Sequence, residues 1–378
     1  MTSSANSIDS VKEMKDMIMK MASDNKMYII LFFTFIVILA IILYVSNKLN
    51  LKDSNCSNLK NSSNSSIISI NDTNSPSNKY KDLSLNQFFI KTAYNCCCSG
   101  HFKNDYVDVC ALKNCAHYGV RALDFQIYSL NNKPIVSASS IESTQYKEIY
   151  NSIGFYNAIQ SVRKYFVDDQ SNQNRKDPLF LIFRLYTTNT LIYDMMAQAL
   201  DQVYGYASPL SNMIYIPSNI DLANVKLSDL IQKVVIIVDT SYGDSNAFEN
   251  SKLNNYASMV TGKSMTQQLY REKNLLSALY MSNARSVSNE SISNNLTILY
   301  PDIQQNKINY DSITSGIFNN VSFIGMNFQS SDKYLLDYNT IFSKSAILYK
   351  KKTLQDMCIK NEYKSTNICS AVNKQPKV

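Results

Sequence analysis

Three adjacent cysteines are the first residues of this chain whose types and spacing could do chemistry. Cys96, Cys97 and Cys98 follow the apolar run "QFFIKTAYN", in a chain with eight cysteines in all. Neighbouring cysteines form disulfides in an oxidising compartment, bind zinc, or act as nucleophiles when a base lowers the thiol pKa. We expect disulfides, of undetermined pairing, among Cys96, Cys97, Cys98, Cys110 and Cys115, and one between Cys358 and Cys369.

Zinc binding and nucleophilic catalysis are the two alternatives for these thiols. A zinc site would use Cys96, Cys98, Cys110 and Cys115, but no Cys-x-x-Cys pair with knuckle spacing is available. A nucleophilic thiol needs a nearby base. His101 is near in sequence, and His117 is the only other histidine of the chain.

One apolar run is long enough to cross a membrane. Residues 27–45, "MYIILFFTFIVILAIILYV", contain no charge, glycine or proline. At about 1.5 Å per residue, a helix of this length approaches the hydrocarbon thickness of a bilayer. The preceding tail, residues 1–26, has mixed charge and no cleavage site follows the run, so we predict an uncleaved signal-anchor in a single-pass membrane protein.

The sequence favours an extracytosolic position for the large C-terminal part. Lysines flank the apolar run on both sides, so the positive-inside rule decides little. All eight cysteines follow the run, and Asn-x-Ser/Thr sequons begin directly after it at Asn55, Asn61, Asn64 and Asn71. Both patterns are typical of chains exposed to the lumen, the cell exterior or a virion surface.

Charge argues against nucleic-acid binding. The net charge of +7 comes from 37 basic and 30 acidic residues that are spread along the chain. No dense Lys/Arg stripe marks a phosphate-backbone footprint.

Apolar patterning after the anchor predicts an α/β barrel. Residues 46–82 are polar and low in complexity, which predicts a flexible stalk. From residue 83 onward, short β-branched runs alternate with amphipathic helical patterns, as parallel strands covered by helices require. About eight such repeats indicate a TIM-like (β/α) barrel, whose chemistry sits at the C-terminal ends of the strands. The apolar runs include "QFFIKT", "GVRALDFQIY", "KPIVSAS", "PLFLIFRLY", "KVVIIVD", "VSFIGMNF" and "SAILYK".

The order of these segments resembles the catalytic domain of phosphoinositide-specific phospholipases C. "LSLNQFFIKTAYNCCCSG" is similar to the family's opening strand, "NNKPIVSASS" to its Pro-Val-x-x-His-Gly-His strand, and "LYPDIQQNKINY…SFIGMNFQ" to its second half. The resemblance implies a PLC-like phosphodiesterase barrel with an X-like half at 83–240, a linker at 241–293 and a Y-like half at 294–354. Residues 355–378 form a C-terminal tail.

The resemblance also implies where an active site would lie. The family uses two histidines and a Ca²⁺ ion held by Asn and carboxylates. Tyr94 and Ser140 stand at the two histidine positions, and neither supplies an imidazole at neutral pH. The remnant of the metal site is Asn95 and Asp124, with Gln126 and Arg184 at the other ligand positions. We expect no Ca²⁺ cofactor, and an ion pair of Arg184 with Asp124 in place of the metal.

The positions with which the phospholipase C family recognises the lipid headgroup also differ in this chain. Ile237 and Asp239 stand where the family has lysines, and Ile298 stands where it has a phosphate-binding arginine. Tyr300 keeps the family's ring-stacking position, and its alternative role is packing at the barrel rim.

These residues predict a membrane-anchored, phospholipase-C-like pseudoenzyme that binds a lipid headgroup or a protein, or serves as a structural module. The alternative is an active phosphoinositide or phosphodiester hydrolase with rearranged catalytic residues, and the sequence alone leaves the question of enzymatic activity open. A third hypothesis is a virion or surface coat protein that uses the barrel only as a scaffold.

Overall fold

The chain divides into two units, Met1–Ser54 and Asn55–Val378. The computed structural model describes residues 12–17, 19–20, 23, 25–60, 67–141, 147–205, 213–216, 220–262, 269–280, 294–302 and 308–359.

An apolar helix dominates the first unit. Helix α1, Lys26–Lys60, contains a stretch at Lys26–Leu59 that is long and apolar enough to cross a membrane, with none of its most apolar window buried against protein. Neither Gly nor Pro interrupts the run, so nothing in it breaks the helix. A possible membrane span is thus present where the sequence predicted one.

Eight parallel strands form a nearly closed barrel in the second unit. Around the barrel, β1 lies between β2 and β10, and the order runs β7-β6-β5-β2-β1-β10-β9-β8. Within the described residues no pairing joins β7 to β8, which leaves one seam open. The strands are β1 Phe88–Ala93, β2 Ala122–Leu130, β5 Leu179–Leu185, β6 Val234–Asp239, β7 Ala257–Thr261, β8 Leu269–Arg271, β9 Ile298–Tyr300 and β10 Phe323–Met326.

Helices and three further strands complete the second unit. The antiparallel strand β3, Lys133–Ser137, folds back on β2 and pairs with β4, Ile153–Gly154. Strand β11, Ile347–Tyr349, pairs antiparallel with the start of β1. The helices are α2 Val109–His117, α3 Phe155–Arg163, α4 Leu191–Tyr204, α5 Ser245–Glu249, α6 Glu272–Tyr280, α7 Lys333–Ile341 and α8 Lys350–Ile359.

Strand alternation separates two apolar cores. Side chains two residues apart on a strand share one face. On β1, Phe88 and Ile90 belong to the core that fills the barrel, while Phe89 belongs to the core between the barrel and its helices. The same alternation on β2, β5, β6, β8, β9 and β10 fixes which residues at the strand ends point inward.

Two segments differ from the sequence-based expectations. Residues 241–293, expected to be a linker, contribute β7 and β8 to the barrel together with α5 and α6. Within the expected stalk, helix α1 continues through residues 46–60, and residues 67–82 pack on the barrel. Burial of Ile67 and Ile70 is the physical reason, since both side chains are almost fully removed from water.

The disulfides also differ from expectation. Cys110 is bonded to Cys56, which lies near the end of α1 and was not among the expected partners. Cys96, Cys97, Cys98 and Cys115 are free and buried, so the expected bridges among them were wrong. Cys358 is disulfide-bonded, and its expected partner Cys369 lies outside the described residues.

Loss of the Cys56–Cys110 disulfide should lower the free energy of unfolding. The bond joins residues 54 apart, and closing a loop of that length contributes about 4 kcal/mol in the chain-entropy model. We expect Cys56→Ser, Cys110→Ser and the double substitution to lose the same amount in urea unfolding of the full chain in detergent. Additive losses from the two single substitutions would contradict this pairing.

Candidate functional site at the barrel mouth

Polar side chains gather inside the barrel where its strands end. Gln126 on β2 is in register with Arg184 on β5, which is in register with Asp239 on β6. Asp124 precedes Gln126 by two residues and shares its face. The C-terminal end of a parallel barrel is where catalytic residues lie in this fold class, and we call this group the mouth cluster: Tyr94, Asn95, Asp124, Gln126, Arg184, Arg271 and Tyr300.

A buried ion pair lies at the centre of the mouth cluster. Arg184 Nε donates to Asp124 Oδ1, and Arg184 Nη2 donates to Asp124 Oδ2, both at 2.7 Å. The Arg184 and Asp124 side chains are 1% and 0% exposed. Two parallel N–H···O bonds match the planar guanidinium to the carboxylate and fix its orientation. The ion pair expected from the sequence is therefore present.

Tyrosine rings surround the guanidinium. The Arg184 Cζ atom lies 4.8 Å from the ring centroid of Tyr94, 5.1 Å from that of Tyr300 and 5.5 Å from that of Tyr186. Such contacts attract a cation to the ring face, more strongly when water is excluded. Gly325 makes room for this arrangement, because a Cβ there would lie 2.6 Å from a ring carbon of Tyr300.

Asn95 is held in the left-handed region directly after β1. Its φ of 45° is costly for a residue with a Cβ, although asparagine tolerates it better than most. The Asn95 backbone N–H donates to Asp124 Oδ2 at 2.9 Å, and its Oδ1 accepts from Arg184 Nη2 at 2.8 Å. These bonds hold the turn, while Asn95 Nδ2 is buried without a partner.

Charge and burial shift the acid–base properties of the cluster. Burial alone would lower the pKa of the Arg184 guanidinium, but Asp124, with Tyr186 and Tyr94, outweighs it and raises that pKa. Burial and then the Asp124 charge raise the pKa of Tyr300, whose hydroxyl donates to Asp124 Oδ1 at 2.8 Å. Arg184 therefore stays a cation and Tyr300 a neutral donor at neutral pH.

Every oxygen at the expected metal positions already accepts a hydrogen bond from the chain. Asp124 and Asn95 accept the donors described above. Gln126 Oε1 accepts from the Tyr128 hydroxyl at 2.9 Å and from the Ser139 N–H at 2.8 Å. Ca²⁺ takes about six to eight oxygen ligands with free lone pairs. These residues do not fit a Ca²⁺ site, since a guanidinium and hydroxyl donors use the same oxygens.

The second expected histidine position lies beside this cluster. The N–H and hydroxyl of Ser140 both donate to Glu148 Oε2, and the Ser139 hydroxyl does so at 3.1 Å. Burial alone would raise the pKa of Glu148, but hydrogen bonds from Ser140 and Ser139, with the Lys103 charge, outweigh it and lower that pKa. Ser140 is thus paired with a carboxylate, which carries no proton to donate at neutral pH.

The remaining expected positions lie in other surroundings. His101 and His117 are exposed, and His117 lies in the last turn of α2, away from the mouth. Ile237 and Ile298 are buried in the barrel core. Asp239 accepts from the hydroxyls of Ser241 at 2.7 Å and Thr261 at 2.8 Å.

The free thiols are packing residues. Burial raises the pKa of Cys96, Cys98 and Cys115, with smaller contributions from neighbouring thiols and acidic groups. A nucleophilic or metal-binding cysteine must be a thiolate, which these environments oppose. The alternative zinc set is also incomplete, because Cys110 is oxidised.

Comparisons with known proteins agree with this architecture. No protein-family model and no curated protein sequence matches the chain. The structure of PLC21 from L. pealei aligns with a TM-score of 0.54 at 14% identity, over 71% of this chain and 37% of its own. PLC21 from S. officinalis gives the same values. The barrel has the phospholipase C fold.

A bacterial structure of that kind is also similar. The calcium-dependent phosphoinositol-specific phospholipase C from a Pseudomonas species aligns with a TM-score of 0.44 at 9% identity, over 69% of this chain and 94% of its own. This chain spans about 37% of the length of each PLC21 structure.

Two members of the mouth arrangement were missed in the sequence. Arg271 lies on β8, with its Cζ atom 5.1 Å from the Tyr94 ring centroid and its Nη1 donating to the Pro301 carbonyl at 2.9 Å. Tyr186 accepts from Arg184 Nη1 at 3.1 Å. Strand β8 has only three residues, too few for a period-2 signal, whereas Tyr186 is the last residue of a predicted strand run and could have been included.

Removing either partner of the buried ion pair should destabilise the phospholipase C fold. Arg184→Met leaves Asp124 as an unpaired buried charge, which costs about 3 to 5 kcal/mol, and Asp124→Asn should cost a similar amount. We expect the double substitution to lose much less than the sum of the two in urea unfolding. The same set of single and double substitutions at the exposed ion pair Lys352–Asp356 is the matched control. Its interaction energy should be below about 1 kcal/mol. Equal coupling in the two cycles would contradict a central role for Arg184.

Proposed function

We propose that this chain is a membrane-anchored pseudoenzyme, a phospholipase-C-type barrel that does not hydrolyse phosphodiesters and acts as a binding or structural module. The supporting observation is the pair of bonds between the guanidinium of Arg184 and the Asp124 carboxylate. A fixed cation stands where catalysis in this fold would call for a metal dication, and it uses the oxygens that the metal would need.

The two acid–base positions support the same proposal. Tyr94 is 2% exposed and packs against Tyr300, with ring centroids 4.8 Å apart. Its phenol replaces an imidazole that would have to exchange protons with substrate. Ser140 donates to Glu148 and offers no acid of suitable pKa. Phosphodiester cleavage by general acid–base catalysis therefore lacks both expected groups.

Burial of the ion pair at the mouth favours binding through outer surfaces. Asp124, Arg184 and Tyr300 are each no more than 1% exposed. Cavities of about 570, 460 and 560 Å³ lie elsewhere on the second unit, and none is lined by a mouth-cluster residue. We infer that a lipid headgroup or protein partner would contact the outside of the barrel rather than enter it.

The anchor and the disulfide support an extracytosolic barrel. The helix at Lys26–Leu59 could hold the chain in a membrane. The Cys56–Cys110 bond forms and persists in oxidising compartments rather than in a reducing cytosol. Together they favour a single-pass protein whose barrel faces the lumen, the exterior or a virion surface.

Hydrolysis of phosphatidylinositol by the full chain tests the proposal. The protein is assayed in mixed detergent–lipid micelles with Ca²⁺ or with a chelator, beside an active phospholipase C. We expect product no higher than that of the heat-denatured protein under both conditions.

Three variants separate a weak intrinsic activity from contamination. Tyr94→Phe and Ser140→Ala remove the hydroxyls at the two former histidine positions with little change of volume. Thr340→Ala changes an exposed residue of α7 and serves as the matched control. Turnover that Tyr94→Phe or Ser140→Ala abolishes, and Thr340→Ala does not, would replace the pseudoenzyme with the alternative, an active hydrolase with rearranged residues.

A further inference from the structure

The structure distinguishes among the Asn-x-Ser/Thr sequons of the chain. Four of them lie within the described residues, at Asn55, Asn71, Asn295 and Asn320. A glycan on asparagine first needs a side-chain amide nitrogen that is free to carry it. Second, both the asparagine and the hydroxyl residue two positions later must be exposed. Each of the four can be compared on these two requirements.

Asn55 fails the first requirement. Its Nδ2 donates to Asp105 Oδ1 at 2.7 Å. The same nitrogen lies 2.6 Å from the position that a Cβ on Gly100 would take, so the surroundings are crowded. The adjacent Cys56 is bonded to Cys110, which fixes this amide against the loop after β1. A glycan on Asn55 is incompatible with that packing.

Two other sequons fail the second requirement. The hydroxyl residue of the Asn295 sequon is Thr297, which is 2% exposed. The hydroxyl residue of the Asn320 sequon is Ser322, which is 0% exposed and accepts from Lys350 Nζ at 3.0 Å. Both hydroxyl residues are buried directly before β9 and β10.

Asn71 meets both requirements. Asn71, Asp72 and Thr73 are all exposed. The two residues before this turn anchor it to the barrel. Ile70 is fully buried, and the Ser69 hydroxyl donates to Asp177 Oδ1 at 2.5 Å. Asp177 precedes β5, so the sequon lies at the end of the barrel opposite the mouth.

We propose that Asn71 carries an N-linked oligosaccharide. The donor is an oligosaccharide linked to a lipid diphosphate. The Asn71 amide nitrogen forms a bond to the anomeric carbon, the bond from that carbon to the diphosphate oxygen breaks, and the lipid diphosphate leaves. The amide loses one proton to a base of the transferase, and no oxidation or reduction takes place.

The proposal rests on the extracytosolic position of the barrel given under the proposed function. Oligosaccharide transfer takes place on the lumenal side of a membrane, the side on which the Cys56–Cys110 disulfide also persists. A glycan at Asn71 would project from the end of the barrel at which the strands begin, and it would leave the mouth uncovered.

The experiment expresses the full chain in eukaryotic cells and counts glycans by the mobility shift on treatment with peptide N-glycosidase. We expect Asn71→Gln and Thr73→Ala each to remove one glycan, and Asn55→Gln to remove none. The double substitution Lys133→Thr/Pro134→Ala serves as a topology control, because it places a hydroxyl two residues after Asn131 at the exposed β2–β3 turn and removes the proline that would impede transfer there. It should add one glycan.

The outcomes separate this proposal from the proposed topology. If Lys133→Thr/Pro134→Ala adds a glycan but neither Asn71→Gln nor Thr73→Ala removes one, Asn71 is not modified while the extracytosolic barrel stands. If Lys133→Thr/Pro134→Ala adds none and the wild-type chain shows no shift, both the glycan and the topology are overturned.

Discussion

One buried ion pair determines how the barrel mouth is built. The Arg184 guanidinium and the Asp124 carboxylate are removed from water, and each would be costly to bury alone. Their bidentate bonds offset that cost only because further donors and rings complete the surroundings. Asn95 and Tyr300 donate to the same carboxylate, and tyrosine rings cover the guanidinium.

This pair also explains why neighbouring residues take unusual forms. The left-handed backbone of Asn95 brings its N–H onto Asp124 and its Oδ1 onto Arg184. Gly325 has no side chain, which allows Tyr300 to reach the carboxylate. A site arranged around a cation of the chain itself needs no metal to neutralise Asp124. Under the proposed function, this ion pair takes the structural role of a metal at the barrel mouth without supplying its chemistry.

Sequence patterns predicted the part of the fold that rests on local periodicity. Strands β1, β2, β5, β6 and β10 lie where the apolar runs placed them. The pairing of Asp124 with Arg184 was predicted from the resemblance to phospholipases C, which places both residues at metal-ligand positions. Strands β7 and β8 were missed, because short strands with polar neighbours give little signal and stabilisation comes from pairing with other strands. The Cys56–Cys110 bond was missed for a related reason: a pairing across 54 residues depends on the folded path of the chain.

The response of thermal unfolding to Ca²⁺ tests the central claim most directly. The claim is that Arg184 occupies the place of a metal, so Ca²⁺ should raise the unfolding temperature of the wild-type chain no more than Mg²⁺ at equal ionic strength. The variant Arg184→Glu replaces the cation with a carboxylate and should respond to Ca²⁺ specifically. A ligand at 100 times its Kd adds about 2.7 kcal/mol to the free energy of unfolding, which such a measurement resolves. A Ca²⁺-specific stabilisation of the wild-type chain that Asp124→Asn abolishes would contradict the account.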